Sequence, residues 1–239
     1  MASHHDVDEV EIKKEISVEE RLKARQREAE ENGEAAPPTR RVKTEPKAVE
    51  VACATHGSFD PPTLAHVEMA KAVKAHLEAS GEFEVKEFVF ATTKNSYVLR
   101  KNKSYLDGRD RERLITIAAK EQGLDWLRAV DGSGANSGTE FVDDHFIPTG
   151  DWRTLKVEGS DTACRYGRKP GKCVVILRTK ETADDVKRKR PGAIIVPGLG
   201  GALGDLSSTK VRNARDPAVV ARFCGPAVAK AMASMTRRR

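Results

Sequence analysis

Two short stretches of the sequence combine glycine, hydroxyl, histidine and basic residues at spacings that suit phosphate binding. The first reads GSFDPPTLAH, from Gly57 to His66, and the second reads LSSTKVR, from Leu206 to Arg212. Neither stretch offers an obvious pair of nucleophile and base. Both therefore indicate chemistry that depends on positioning phosphate groups and stabilising their charge with hydrogen-bond donors and cations.

The first stretch lies between an apolar, β-prone run and a segment with helical periodicity. Gly57 and Ser58 have little side chain, so their backbone can approach a phosphate closely. The N–H groups and the positive dipole end of the following helix favour the same anion. Thr63 and His66 are three residues apart and share one face at the start of this helix, so we expect both to face the ligand.

The second stretch also begins at a predicted helix N-terminus. Ser207 or Ser208 is a suitable N-cap for that helix. Thr209 adds a hydroxyl, and Lys210 and Arg212 add positive charge. These residue types at the start of a helix are typical of a pocket for a triphosphate.

Both stretches resemble the signatures of the HxGH-type nucleotidyltransferases. In that superfamily the first motif reads G-[ST]-F-[DN]-P-x-[HT]-x-G-H, and Ala65 stands here where glycine is usual. The second motif reads I-S-S-T-x-[IV]-R, with Leu206 here in the isoleucine place. The two motifs also follow the order of the family along the chain, about 140 residues apart.

The resemblance implies a reaction and a role for each matching residue. The family joins a nucleotide to a phosphomonoester and releases pyrophosphate, without a covalent enzyme intermediate. His66 would bind phosphate oxygens during transfer with help from Thr63, and Arg212 and Lys210 would hold the outer phosphates of ATP. Mg²⁺ would bridge phosphates with water as its main other ligand, so no dedicated metal site on the protein is implied. The resemblance also assigns nucleotide binding to Gly57, Ser58, Phe59, Ser207, Ser208 and Thr209.

Two weaker correspondences extend the resemblance. Gly159 and Asp161, in VEGSDTACRY, resemble the G-x-D that lies beside adenosine in the family, and a generic turn is the alternative. The basic segment KNSYVLRKNKSYLDGRDRER matches the part of the family that carries an acceptor-side lysine and arginine, and a solvated basic loop is the alternative. Arg113 matches that arginine best. Three residues compete for the lysine: Lys94, Lys101 and Lys103.

The acceptor is less well defined than ATP. The chain looks most like nicotinamide or nicotinate mononucleotide adenylyltransferase, over roughly residues 50–120 and 157–215. Residues 131–172 are glycine-rich and irregular; Trp152, or else Trp126, could stack on a pyridine ring, and packing residues are the alternative reading of both. Phosphopantetheine adenylyltransferase and another cytidylyltransferase-like enzyme stay open. So does a reading from a different class, a nucleotide-binding protein without catalysis.

The rest of the chain must supply the scaffold for these residues. Apolar, β-prone runs alternate with segments of helical periodicity, which predicts an α/β, Rossmann-like doubly wound parallel sheet with helices on both faces. The predicted strands are AVEVACA, FEVKEFVFAT, KCVVILRT and GAIIVP. One predicted helix is LAHVEMAKAVKAHLEAS, a second is capped by Asp107, and a third runs from Pro217 to Met235 with an interruption at Gly225-Pro226.

The charge distribution separates a charged N-terminal extension, residues 1–48, from a nucleotidyltransferase domain, residues 49–239. Residues 1–50 carry 10 Lys or Arg and 13 Asp or Glu, whereas the remainder carries 32 and 23. Within the extension, Ser17 and Glu20 fit a capping box for a short exposed helix, with disorder as the favoured alternative. A basic domain suits phosphorylated small molecules as well as nucleic acid. Aromatic residues make up only 5% of the chain and no RNA-recognition motif is found, so nucleic acid is the less favoured partner.

Composition also indicates the cellular compartment in which the protein is expected. No apolar run is long enough to cross a membrane, and the acidic N-terminus lacks the features of a secretory signal. The four cysteines are scattered, which favours reduced thiols without a zinc site or disulfide framework. We therefore expect a cytoplasmic or nuclear protein that binds ATP and a phosphorylated small-molecule acceptor.

Overall fold

The computed structural model describes residues 23, 27, 47–102, 105–166, 173–178, 181–199, 206–214 and 216–235. The chain divides into two compact units, Met1–Pro46 and Lys47–Arg239. In the first unit, Lys23 and Arg27 are helical and exposed. The predicted capping box lies outside the described residues, and the predicted boundary of the extension stays a prediction.

The second unit alternates strands with helices along the described chain. The strands are β1 (Val49–Gly57), β2 (Phe83–Thr92), β3 (Leu127–Asp131), β4 (Arg153–Gly159), β5 (Cys173–Ile176) and β6 (Ile194–Val196). The helices are α1 (Leu64–Ala79), α2 (Asn95–Asn102), α3 (Gly108–Glu121), α4 (Gly138–Glu140), α5 (Ser160–Tyr166), α6 (Ala183–Lys189), α7 (Ser208–Asn213), α8 (Pro217–Cys224) and α9 (Pro226–Ala233). A π-helical turn, Phe141–His145, continues α4.

These strands form one parallel sheet in the order β3-β2-β1-β4-β5-β6. This is the order of a doubly wound sheet, in which the chain turns from one half to the other between β1 and β4. Ligands bind to such sheets in the crevice outside the carboxyl ends of the strands at this switch point. The predicted fold class is confirmed, and the first motif and the G-x-D segment follow the two strands that border the crevice.

The core lies on both faces of β1, because helices cover both faces of a parallel sheet. On one face Val51 packs in the main core with Val73 and Leu77 of α1. On the other face Ala54 packs in a smaller cluster with Phe141. The central strand that carries the first motif is therefore held rigidly from two sides.

The sequence patterns missed two strands, β3 and β4. β4 lies inside the sheet although one of its faces carries charged residues. β4 reads RTLKVEG, in which Lys156 and Glu158 interrupt the apolar residues. Nζ of Lys156 lies 2.8 Å from Oε2 of Glu158, and Arg190 lies 3.1 Å from Oε1 of the same carboxylate. These mutual ion pairs allow a charged face to be buried in the sheet.

The remaining expectations about the scaffold have mixed outcomes. The predicted interruption of the C-terminal helix is confirmed, since α8 ends at Cys224 and α9 begins at Pro226. The irregular region contains β4, α4 and α5 as well as loops. The four cysteines carry free thiols. No helix in the described part of the chain is long and apolar enough to cross a membrane.

Candidate active site

The first motif forms a tight loop between the end of β1 and the start of α1. A Cβ on Gly57 would lie only 2.9 Å from the ring of Phe59, so this position requires glycine. Phe59 has a positive φ of 44°, and its ring packs edge-on against His66 and Phe90, at centroid distances of 5.2 and 5.0 Å. Because the Phe59 side chain is buried, its backbone is the part that can reach a ligand.

Thr63 fixes the tautomer of His66. Thr63 is the N-cap residue of α1, and its backbone N–H and its hydroxyl both lie 2.9 Å from Nδ1 of His66. An amide N–H can only donate, so Nδ1 is the acceptor and the neutral imidazole carries its proton on Nε2. Thr63 is 1% exposed. Its side chain therefore orients His66, and the expectation that Thr63 itself faces the ligand stays a prediction.

His66 is held in its neutral form near pH 7. Burial, and after it the charge of Arg178, lower the pKa of His66 from 6.5 to about 3. The imidazole can therefore donate a hydrogen bond from Nε2 without carrying a charge of its own. A phosphate group bound next to it would raise this pKa again, since an anion favours the charged imidazolium.

A pocket lies on the β4–β6 side of the crevice. A Cβ on Gly159 would meet Oδ1 of Asp161 at 2.6 Å and Cδ of Arg178 at 2.8 Å, so glycine is needed for these side chains to approach each other. Oδ1 of Asp161 is buried and has no hydrogen-bond partner among the described residues. The pocket is lined by Ala65, His66, Met69, Ile176, Leu177, Arg178, Leu199 and Leu206.

Arg178 was not found by sequence analysis, although it lies at a position that could have suggested it. It follows β5 by two residues, at the same edge of the sheet as the first motif. Its guanidinium makes no hydrogen bond or ion pair to another residue within the described ranges. Its charge is therefore available to a ligand in the pocket beside His66.

The second motif packs directly on the first. Oγ of Ser208 donates to the carbonyl of Pro61 at 2.7 Å. The guanidinium of Arg212 donates to the carbonyl of Asp60 and reaches Oγ1 of Thr209 at 2.9 Å. Two segments about 150 residues apart in the chain thus form one contiguous surface.

The other residues of the second motif cap and flank α7. The hydroxyl of Ser207 accepts from the backbone N–H of Lys210 at 3.3 Å, as a predicted N-cap should. Thr209 and Lys210 are exposed. Lys210 therefore presents its positive charge at the exposed surface of α7.

Arg111, and not Arg113, is the arginine that reaches the first motif. Arg111 is fully buried, whereas Arg113 is exposed. Two residues along a helix correspond to a rotation of about 200°, so the two side chains lie on different faces of α3. The assignment of Arg113 to the acceptor stays a prediction. The donors of Arg111 reach the carbonyls of Ser58, Thr93 and Leu106 and Oδ1 of Asn95.

The candidate lysines differ in how they are held. Lys94 lies just beyond the carboxyl end of β2 and donates to Oδ1 of Asn136 at 2.6 Å. Lys101 is exposed near the end of α2. Lys103 lies outside the described residues. Lys94 is therefore the candidate whose position at the crevice the structure defines.

Neither tryptophan lies near the motifs. Trp152 precedes β4 and Trp126 precedes β3. In a parallel sheet all amino ends share one edge, and β4 alone separates that edge from the motifs by about 20 Å. Trp126 instead packs against the main core, with Nζ of Lys74 5.6 Å from its ring centre. The stacking of Trp152 on the acceptor stays a prediction, and the structure places this residue at the amino edge of the sheet.

His56, which sequence analysis did not select, ties β1 to the loop after β3. Its Nε2 lies 3.1 Å from the carbonyl of Gly132, and its ring stacks on Phe141 at 5.8 Å. Burial lowers the pKa of His56. A Cβ on Gly132 would lie 2.9 Å from both Ala91 and the His56 ring. The sequence could have suggested His56, because this histidine stands directly before Gly57 at the end of a predicted strand.

Comparison with solved structures finds the same fold in a nicotinate-nucleotide enzyme. One match is a Plasmodium falciparum nicotinic acid mononucleotide adenylyltransferase complexed with NaAD, with a TM-score of 0.55 and 16% identity, covering 77% of this chain and 95% of that chain. The two chains share a fold. A putative nicotinate-nucleotide adenylyltransferase from Vibrio parahaemolyticus matches with a TM-score of 0.44 and 18% identity, covering 77% of this chain and 99% of that one. No protein-family model and no curated protein matches the chain.

Proposed function

We propose that this protein transfers the adenylyl group of ATP to nicotinamide or nicotinate mononucleotide and releases pyrophosphate. The proposal depends above all on the contact between the motifs, in which Ser208 and Arg212 donate to the carbonyls of Pro61 and Asp60. This contact places the basic α7 beside the start of α1 and His66, at the crevice of the sheet. The fold shared with a nicotinic acid mononucleotide adenylyltransferase is consistent with the proposal.

ATP would lie across the β4 side of the crevice. In this arrangement the adenosine enters the pocket near Asp161, whose buried and unpartnered Oδ1 would accept a hydrogen bond from a ribose hydroxyl. The triphosphate runs toward α7, where Lys210 and Arg212 neutralise its outer phosphates. Arg178 adds positive charge near the α-phosphate, next to His66.

In the transfer step an oxygen of the acceptor phosphate attacks the α-phosphorus, and the bond from that phosphorus to the β-phosphate oxygen breaks. Negative charge grows on the α-phosphate oxygens and on the leaving pyrophosphate. Nε2 of His66 donates to one of these oxygens, and the N–H groups at the start of α1 support the same charge. Thr63 keeps the proton of His66 on Nε2, so the donor is oriented before ATP binds.

Mg²⁺ would accompany ATP, with its ligands drawn mainly from phosphate oxygens and water. Within the described residues, no group of three or more His, Cys, Asp or Glu side chains is placed to hold a metal ion. An ion that arrives bound to the phosphates needs no such group, and Mg²⁺ would then offset charge on the leaving pyrophosphate.

The proposal is tested by measuring pyrophosphate release with ATP, Mg²⁺ and four acceptors in turn: nicotinamide mononucleotide, nicotinate mononucleotide, phosphopantetheine and phosphocholine. Release with a pyridine nucleotide is the expected result. Release only with phosphopantetheine or phosphocholine would refute the proposed acceptor and would indicate a nucleotidyltransferase that acts on a different phosphomonoester. ATP binding without release for any acceptor would favour a binding protein.

The His66→Asn variant tests the role of the imidazole. An asparagine oxygen can still accept from the backbone N–H of Thr63, but the donor at Nε2 is lost. We expect turnover to fall by about 10²–10³, the usual cost of removing one donor to a developing oxyanion, with an unchanged circular dichroism spectrum. His76→Asn, near the other end of α1, is the matched control. Near-normal turnover in His66→Asn would refute the assigned role.

A further inference from the structure

Lys94 is positioned at the acceptor side of the crevice by a neutral group. Its ammonium donates to Oδ1 of Asn136 at 2.6 Å. Asn136 is in turn fixed by Glu140, which accepts from its backbone N–H at 3.0 Å and from its side-chain amide at 3.2 Å. No carboxylate pairs directly with Lys94 among the residues described. The charge of Lys94 is therefore oriented and still available to a bound anion.

The strand order indicates which part of the acceptor Lys94 would meet. β2 lies on the opposite side of β1 from β4, and Asn136 follows β3, one strand further from the ATP side. The phosphate that reacts must lie near Gly57 and His66, beside β1. Neighbouring strands are about 4.8 Å apart, so Lys94, held toward Asn136, lies one to two strand spacings from that phosphate. It is placed to meet the base of a nucleotide acceptor.

Thr93 independently marks this place as a ligand site. The residue is 9% exposed, and its hydroxyl is buried without a hydrogen-bond partner in the described ranges. Its backbone N–H donates to the carbonyl of Gly57 at 2.9 Å, so Thr93 lies between the first motif and Lys94. Buried hydroxyls in folded proteins are nearly always hydrogen-bonded. A ligand that crosses the ends of β1 and β2 would supply the missing partner.

The acidic residues at this edge favour one charge pattern in the base. Glu112 accepts from the hydroxyl of Thr92 at 3.0 Å, and Asp131 pairs with Thr92 in the sheet register. Together with Glu140, these carboxylates suit the positive pyridinium ring that nicotinate and nicotinamide mononucleotide share. The same carboxylates would repel a carboxylate attached to the ring. The positive charge of Lys94 offsets this repulsion. Together, the carboxylates and Lys94 suit a ring that carries a positive pyridinium nitrogen and a negative carboxylate.

We propose, on the basis of the function proposed above, that Lys94 binds a carboxylate on the base of the acceptor, so that the enzyme prefers nicotinate to nicotinamide mononucleotide. Asn136 is the positioning residue that holds the ammonium in place. A carboxamide oxygen can also accept from Lys94, but it lacks the negative charge. Hydrogen bonds to a charged partner are stronger than neutral ones by an amount that corresponds to about tenfold or more in affinity.

The test compares kcat/KM for the two mononucleotides in the wild-type chain and in three variants. Lys94→Met removes the charge and should lower the ratio of nicotinate to nicotinamide activity by about tenfold or more, mainly through loss of nicotinate activity. Asn136→Asp keeps Lys94 but places a carboxylate against its ammonium, and it should lower the ratio in the same direction. Lys120→Met, at the exposed end of α3, removes the same charge elsewhere and should leave the ratio unchanged.

Each outcome bears on one of the two proposals. A wild-type ratio near one, a preference for the carboxamide, or an unchanged ratio in Lys94→Met would overturn the role of Lys94 while adenylyl transfer stands. Loss of activity with both substrates in equal proportion would also overturn it, because only a selective loss supports carboxylate binding. Absence of pyrophosphate release with either mononucleotide in the wild type would overturn the proposed function itself.

Discussion

Arg111 should be the largest single contributor to the stability of the first-motif loop. Its guanidinium is fully buried and donates to four oxygens, at 3.1 Å to Leu106, 2.7 Å to Ser58, 2.7 Å to Thr93 and 2.9 Å to Asn95. Burial lowers the pKa of Arg111 from 12.5, and nearby carboxylates, Asp60 first among them, oppose that shift. The side chain thus joins the loop after β1 to the end of β2.

The Arg111→Leu substitution removes these donors and leaves their acceptors in place. The carbonyls of Thr93 and Leu106 are in buried contacts, and a buried acceptor without a partner costs about 1–3 kcal/mol. The acceptors on Ser58 and Asn95 are only partly buried, so water can replace the lost donor there. Leucine also avoids the desolvation of a charge, which offsets part of the loss. We expect a net destabilisation of about 2–4 kcal/mol.

Urea unfolding followed by circular dichroism measures this change. With a typical slope of about 2 kcal/mol per molar urea, the midpoint should fall by roughly 1–2 M. Arg113→Leu, on the exposed face of the same helix, should change the unfolding free energy by less than about 0.5 kcal/mol. Equal midpoints for the two variants would refute the reasoning that the buried hydrogen bonds of Arg111 hold the loop.

Two further predictions concern pH and packing. The pKa of His66 is about 3 when folded and near 6.5 when unfolded. The unfolded chain therefore binds this proton first as the pH falls, and stability from this group declines below about pH 6.5, by at most about 1.4 kcal/mol per pH unit. His66→Asn should remove that part of the pH dependence in urea unfolding between pH 7.5 and pH 5; an unchanged slope would contradict the assignment. Gly132→Ala would bring a Cβ within 2.9 Å of Ala91 and of His56, and should cost about 1–3 kcal/mol by overpacking. Gly108→Ala is the control, because its Cβ would have its nearest contact at 3.5 Å. Equal melting temperatures of the two variants would contradict the predicted cost of overpacking, since the loop after β3 would then have moved to accept the methyl group.

Local patterns were sufficient to predict the fold class and to place the two motifs at the starts of helices. Continuous apolar runs such as VVI in β5 and the helical spacing in α1 are properties of adjacent residues, and they predicted strands and helices where the structure has them. The patterns did not predict β4, because the charged residues Lys156 and Glu158 interrupt the apolar residues of this strand. Glu158 forms an ion pair with Arg190, which lies far along the chain at the end of α6, and this pair stabilises the buried charge.

The surroundings of several candidate site residues depend on contacts across the sheet. Arg111 and Arg113 differ by two positions, and only the packing of α3 decides which one is buried. Trp152 was an attractive aromatic in sequence, but the direction of β4 places it at the amino edge. Arg178 meets the first motif only because β4 and β5 lie next to β1 in the sheet.

The sequence by itself determined that this protein has an α/β fold and that the stretches GSFDPPTLAH and LSSTKVR stand at helix starts, because capping residues, glycines and apolar spacing act on neighbours in the chain. The tertiary structure alone decided that GSFDPPTLAH and LSSTKVR form one surface, that His66 carries its proton on Nε2, and that Lys94 donates to Asn136. Those facts follow from strand order, from register and from hydrogen bonds such as that between Ser208 and Pro61. Such contacts join residues far apart in the chain, and no local pattern of residue types encodes them.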